Sequence, residues 1–339
     1  MRPAERACLI ALLLIAATGF LHSGNSRQIR PPVKPIKDHE VWLQRSPTGD
    51  ILRMRLAAAP FPDPRRTGGY SFDDVTYPAD PHYVDSSVAV LIPTGFHSNG
   101  PVNLVFFFHG WNSSIDDVQS RFDLFRQFSQ SRVQALLVLP ELAWNAPDSY
   151  GGKLEREGGF ARMVDELLDV LHTEGQIQAA RVDSIILAGH SGAYRVIAQI
   201  LRHGGCASKI AGVWLFDALY DLTDQYDAWI EHSTGRFVSV SASDGEETTD
   251  VNELIATLRD ERVPLQIARD DPTRDWALRS RVLFLRSDSD HYGVVFDRDE
   301  FRRLLESSPV LVPAHRGART PSADFFGHFL SPPSWRLMS

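Results

Sequence analysis

At 339 residues, 43% apolar and 23% charged, the chain has the length and composition of a soluble globular protein with a sizeable core. A net charge of −8 is mild, which excludes the footprint of a nucleic-acid binder and a strongly basic membrane surface. Two cysteines, Cys8 and Cys206, leave no scope for a disulfide framework.

Arg2 and Arg6 precede an uncharged run from Ala7 to Leu21, after which Ser23, Gly24, Asn25 and Ser26 take over. A basic start followed by an apolar stretch too short to span a bilayer comfortably reads as a signal peptide over residues 1–24. Export to a periplasm or to the medium is the expectation, and the sole membrane contact foreseen is this segment if it stays uncleaved. With Cys8 inside it, the mature chain keeps Cys206 alone, read as a structural thiol. Residues 25–40, with Pro31, Pro32 and Pro35, have the composition of an extended leader.

One folded domain is expected over 41–305. Val41 to Leu56 and Ser87 to Ile92 read as early strands, with a Pro-, Gly- and Asp-rich loop from Pro60 to Pro81 between them. Leu104 to Phe108 is a continuous apolar run, as a strand covered on both faces requires, and it leads into His109-Gly110-Trp111. Val118, Phe122, Phe125 and Phe128 follow at helical spacing. Ala135 to Leu139 is the next strand. Its exit opens a loop of about twenty residues, Pro140 to Gly159, of a length that tends to carry function. Phe160, Met163, Val164, Leu167, Leu168 and Leu171 mark a helix face.

Ile185 to Ala188 then runs into Gly189-His190-Ser191-Gly192-Ala193, and Ala193, Val196, Ile197, Ile200 and Leu201 repeat at helical spacing. Ser191 therefore sits where a strand turns sharply into a helix. Strands over Ile210–Phe216, Arg236–Ser243 and Arg281–Arg286 complete an alternation that predicts an α/β fold with a mostly parallel sheet and helices on both faces. Ligands of such sheets sit at the carboxyl ends of the strands. The tail over 306–339, with Phe325, Phe326, Phe329 and Trp335, is expected to pack on the domain.

His109-Gly110-Trp111 after one buried strand, the Ser191 turn after another and His291 after the last resemble the α/β-hydrolase superfamily over roughly residues 85–300, in the chain order Ser, acid, His. The resemblance implies a serine hydrolase. A serine hydroxyl needs an imidazole to take its proton, and among twelve histidines His291 is best placed. For the carboxylate that orients it, Asp217 and Asp244 both follow a strand. Asp217 is favoured because an uncharged run leads straight into it, whereas Asp244 lies in a polar turn. The oxyanion donors expected are the amides of Trp111 and Gly192.

Trp111, Trp144, Tyr150 and Tyr220 fall in loops at that edge, as cleft linings or as loop packing. Asp288, Asp290, Gly293 and Asp299 have part of a calcium-loop spacing, but a strand precedes them, so no calcium site is assigned. No His-Glu-x-x-His, paired-Cys or Gly-rich phosphate motif occurs. The expectation is a cofactor-free, exported esterase acting on a small-molecule ester. The alternatives are an amidase or peptidase using the same residues, and a non-catalytic binding protein on the same fold. The oligomeric state is not readable.

Overall fold

The computed structural model of the chain describes residues 40–243, 248–271 and 280–311. The expected signal peptide, nearly all of the leader, Asp244 and the tail from residue 312 lie outside the described residues.

Ten strands form one sheet: β1 (Val41–Ser46), β2 (Gly49–Arg55), β5 (Ser87–Pro93), β6 (Val102–Phe108), β7 (Leu136–Pro140), β8 (Val182–His190), β9 (Ile210–Phe216), β10 (Arg236–Ser241), β11 (Gln266–Arg269) and β12 (Val282–Arg286). Their order is β1-β2-β5-β7-β6-β8-β9-β10-β12-β11. The seven strands from β7 to β11 in that order are parallel, and β1, β2 and β5 add an antiparallel edge. A separate hairpin pairs β3 (Tyr70–Phe72) with β4 (Val75–Tyr77).

The apolar runs are continuous because each strand feeds two cores. Leu104, Phe106 and Phe108 of β6 face one side, with Leu136 and Val138 of β7 and Ile185 and Leu187 of β8. Val105 and Phe107, Leu137 and Leu139, and Ile186 and Ala188 face the other. Such a side chain, fully withdrawn from water, contributes about 1.5–3 kcal/mol. The first face is covered by α3 (Gly159–Thr173), α4 (Tyr194–His203), α5 (Thr223–His232) and α6 (Thr248–Asp260); the second by α1 (Ile115–Arg121), α2 (Leu124–Ser131) and α7 (Glu300–Glu306). Cys206 packs half-buried against the first core, and burial pushes its thiol up, away from the reactive thiolate.

Four expectations are corrected. Val41–Leu56 is a hairpin and not one strand. It turns between Ser46 and Gly49, where φ is +142° and a Cβ would lie 2.2 Å from the Ile92 carbonyl oxygen. The helix expected over residues 118–128 is broken at Asp123, whose φ of 49° ends one helix and starts another, so that Val118 and Phe128 reach the core from different segments. The loop from Pro60 to Pro81 contains the β3–β4 hairpin. Three strands were expected after the elbow helix and the described residues hold four: β11, with Ile267 and Ala268 only partly buried, pairs with β12 alone at the sheet margin.

Candidate active site

The nucleophile turn is built by small residues. At the end of β8, a Cβ on Gly189 would lie 2.7 Å from both Ala193 Cβ and Ile197 Cδ1, so α4 crosses the strand end this closely only because position 189 is bare and position 193 small. Ser191 is forced to φ = 56°, a left-handed conformation costly for a serine, and is buried at the N-terminal end of the helical segment. Strained non-glycine residues of this kind cluster at functional sites.

Parallel neighbours deliver the other groups to the same edge. Asp217 follows β9, also in the left-handed region (φ 43°), and its amide donates to the Val240 carbonyl at 2.7 Å. Its buried carboxylate accepts from the Ala242 amide through Oδ1 (3.2 Å) and from the Tyr220 hydroxyl through Oδ2 (3.1 Å). That same Oδ2 accepts from His291 Nδ1. With its Nδ1 proton committed to a carboxylate, His291 keeps Nε2 free as a proton acceptor. The His291 loop is shaped by Asp290, whose Oδ1 accepts from the amides of Tyr292 (3.1 Å) and Gly293 (2.8 Å).

Strand order, elbow and this pairing across β9 and β12 decide the architecture. The chain has the α/β-hydrolase fold.

Within this hydrolase fold, Ser191 and His291 follow strands that end at the same sheet edge, and no hydrogen bond joins Ser191 Oγ to His291 among the described residues. Catalytic hydrogen bonds of this kind are often long before substrate arrives. Asp244, the other candidate acid, lies outside the described residues.

His190 has a part that the sequence did not announce. Its Nε2–H donates to the backbone carbonyl of His291 at 2.7 Å, and its ring lies 4.5 Å from that of His291 and 4.9 Å from Phe122. Burial, and then the neighbouring His291, hold its imidazole well below the ordinary histidine value, so it stays neutral. The unfolded chain therefore binds a proton that the native state refuses once pH falls below about 6.5, and stability declines from there downward by up to about 1.4 kcal/mol per pH unit. Thermal melts from pH 7.5 to 5 are expected to show Tm falling below pH 6.5, with a shallower fall in His190→Gln. An equal slope in the variant refutes the assignment.

The oxyanion side is a close approach of two backbones. A Cβ on Gly110 would lie 2.7 Å from Ser191 Cβ, 2.8 Å from the His190 carbonyl oxygen and 3.0 Å from the Gly192 amide nitrogen, so the exit of β6 rests on the elbow. Neither the Trp111 nor the Gly192 amide is used in a turn, loop or cap hydrogen bond among the described residues. The Trp111 ring lies over Gly192: a Cβ there would be 2.4 Å from Trp111 Cδ1 and 3.0 Å from Ser149 Oγ. Trp111 Nε1 donates to that Ser149 Oγ at 2.6 Å.

Further ties hold the oxyanion loop to the loop after β7. The Asn112 amide donates to the Ala146 carbonyl (3.0 Å) and the Asn145 amide to that of Ser113 (2.9 Å). Buried His109 spans the same gap: its Nδ1–H donates to the Gly110 carbonyl at 2.9 Å and its Nε2 accepts from the Leu142 amide at 2.9 Å, beside Glu141 Oε1 at 3.0 Å. Ser149, Glu141 and Tyr220 were not singled out for these contacts by the sequence, which offers no motif for them. The length of the loop holding Ser149 and Glu141 was the available signal.

Of the four candidate aromatics, only two keep exposed surface. Trp111 is partly buried with Phe72 of the β3–β4 hairpin edge-on at 5.1 Å, and Trp144 is among the exposed large apolar side chains. Tyr150 is buried in a satellite core with Phe61 and Tyr83, its hydroxyl on Asp63 Oδ1 at 3.1 Å, and Tyr220 is buried on Asp217. Arg66 caps that satellite core, 4.7 Å over the Tyr70 ring and 4.6 Å over that of Tyr150.

No family model matches this chain, and no curated protein matches it. Solved structures that share its backbone course include a serine-to-alanine mutant of the feruloyl esterase module of Clostridium thermocellum in complex with sinapinate. It is 13% identical, covers 68% of this chain and 85% of its own, and has a TM-score of 0.47. An S-formylglutathione hydrolase from Agrobacterium tumefaciens is 11% identical over 78% of this chain and 94% of its own, with a TM-score of 0.41. The fluorophosphonate-binding serine hydrolase F of Staphylococcus aureus is 12% identical over 80% and 97%, with a TM-score of 0.40. At this identity and superposition they do not say what this chain binds or cleaves.

Proposed function

We propose that the protein is an exported serine esterase that cleaves a small-molecule carboxylic ester through an acyl-enzyme. The observation that carries the reading is the Asp217–His291 pair standing at the same sheet edge as a serine in a strained, left-handed turn.

In this reading Ser191 Oγ attacks the ester carbonyl carbon while its proton passes to His291 Nε2. Asp217 holds the imidazole in the tautomer that can accept that proton and stabilises the imidazolium that forms. The carbonyl oxygen takes up negative charge between the amides of Trp111 and Gly192, a donor of this type being worth about 2.7–4 kcal/mol in the transition state. His291 returns the proton to the departing alcohol, and water, deprotonated by the same Nε2, releases the acid. No cofactor enters these steps. Trp111 beside Gly192, with Phe72 against it, favours a substrate with an apolar or ring-bearing group next to the ester. Export rests on the N-terminal sequence of a basic start and an apolar run.

Labelling by a fluorophosphonate probe tests the core of this reading. The wild-type protein is expected to be labelled and Ser191→Ala to be silent, and a panel of p-nitrophenyl esters of rising chain length is expected to show an optimum that sizes the acyl pocket. A folded wild-type protein that resists the probe and leaves every ester intact overturns it.

A further inference from the structure

A cavity of about 1150 Å³ opens where β8, β9 and β10 begin, between the C-terminal turn of α4 and the helix α5. Ser191 stands at the other end of β8, seven residues from Ser184 and eight from Asp183 of the cavity lining, or about 25 Å at the rise of an extended strand. Nothing lining this cavity takes part in the chemistry above.

Its deepest feature is Arg236, the first residue of β10, which is 5% exposed. Nε donates to the Ser280 carbonyl at 3.2 Å and Nη1 to Ser307 Oγ at 3.0 Å. Nη2 is buried without a hydrogen-bond partner among the described residues. No carboxylate pairs with Arg236 among the described residues, whereas the buried Arg303 guanidinium pairs with Asp270 at 2.7 Å and the half-buried Arg66 guanidinium with Asp148 at 2.7 Å. A buried, hydrogen-bonded cation without a counter-ion is costly, by several kcal/mol after relaxation. Burial pushes the Arg236 guanidinium down to about 10, which still leaves it charged at neutral pH.

Two further unpartnered polar atoms belong to side chains lining the same cavity. Trp229 Nε1 and Gln225 Oε1 are buried without a hydrogen bond among the described residues, and these residues lie four apart on one face of α5. Around the rim, Arg202, Lys209 and Arg281 outnumber Asp183 and Asp224. Two orphan donors, one of them a cation, just beneath the wall of a concave site with a positive balance define a complement for negatively charged oxygen.

We propose that this cavity is a second ligand site, distinct from the Ser191 centre, which binds an oxyanion, the carboxylate or phosphate group of a small organic molecule. A turn of the Arg236 side chain toward the cavity brings its unpartnered Nη2–H to one ligand oxygen, which supplies the missing countercharge. The Trp229 indole N–H offers the second donor, and Gln225 Oε1 accepts from a hydroxyl on the same ligand. The volume exceeds that of a bare ion and suits a drug-sized molecule.

Calorimetric titration of the full chain at constant ionic strength, with inorganic phosphate and with benzoate as separate probes, tests this site and tells the two oxyanions apart. Saturable one-to-one binding of at least one probe is expected. Arg236→Met, which keeps the length of the side chain and removes the charge, is expected to weaken it by about 10-fold or more, the worth of a hydrogen bond to a charged group. Its far-UV circular dichroism and ester turnover should remain those of the wild type. Trp229→Phe, which retains an aromatic ring and removes the N–H, is expected to weaken binding by roughly 3- to 10-fold and serves if Arg236→Met does not fold. Wild-type protein that binds neither probe saturably, or folded variants that bind with wild-type affinity, overturn the proposal.

Discussion

Asp217→Asn is expected to lower kcat for ester hydrolysis by about 10⁴-fold, with KM changed only a few-fold. The cause is a reversal of one proton. Asp217 Oδ1 already accepts from the Ala242 amide, and Oδ2 from Tyr220 and His291. An asparagine keeps its oxygen on the Ala242 amide and turns its NH₂ toward His291. Nδ1 must then accept, the ring proton moves to Nε2, and the imidazole can no longer take the serine proton. Asp244→Asn, the control from the other candidate, is expected to stay within a few-fold of wild type. A kcat that survives Asp217→Asn and collapses in Asp244→Asn would transfer the role.

Gly110→Ala is the second large effect, a loss of about 10²–10³ in kcat, of the size found when an oxyanion donor is removed. The added Cβ would stand 2.7 Å from Ser191 Cβ and 2.8 Å from the His190 carbonyl, and two of its three nearest atoms are backbone, so the loop must move. A displacement near 1 Å carries the Trp111 amide off the developing charge, and displacement on this scale can cost about 10²-fold. Overpacking adds a destabilisation of about 1–3 kcal/mol. Steady-state kinetics beside a thermal melt separate the two: kcat should fall in protein that is still fully folded at the assay temperature. Wild-type turnover in a folded Gly110→Ala would show that the close approach of these backbones does not matter to the reaction.

The parts of the molecule legible in the chain were those set by local pattern. The buried strands could be read because each has apolar residues on both faces, Phe106 and Phe108 to one core and Phe107 to the other. The elbow was legible in Gly189 and Ala193 set between an apolar strand run and a helical repeat, since a sharp crossing needs small side chains at those positions. Elements with weak or one-sided burial were not legible. The edge strand β11 has one neighbour, and the break at Asp123 depends on a single residue turning left-handed inside an otherwise helical pattern.

The sequence by itself determined the alternation of strand and helix, and therefore which residues leave the sheet at its carboxyl edge: Trp111, Ser191, Asp217 and His291. Only the tertiary structure decided which of them touch. The contact of His291 with Asp217, the brace from His190 to the His291 backbone, the Tyr220 hydroxyl on Asp217 and the Ser149 hydroxyl under Trp111 join residues brought together by strand order and loop path. The orphan guanidinium of Arg236 belongs to the same class. An arginine at the start of a strand looks solvated in sequence, and only packing against Ser280 and Ser307 removes it from water without supplying a counter-charge.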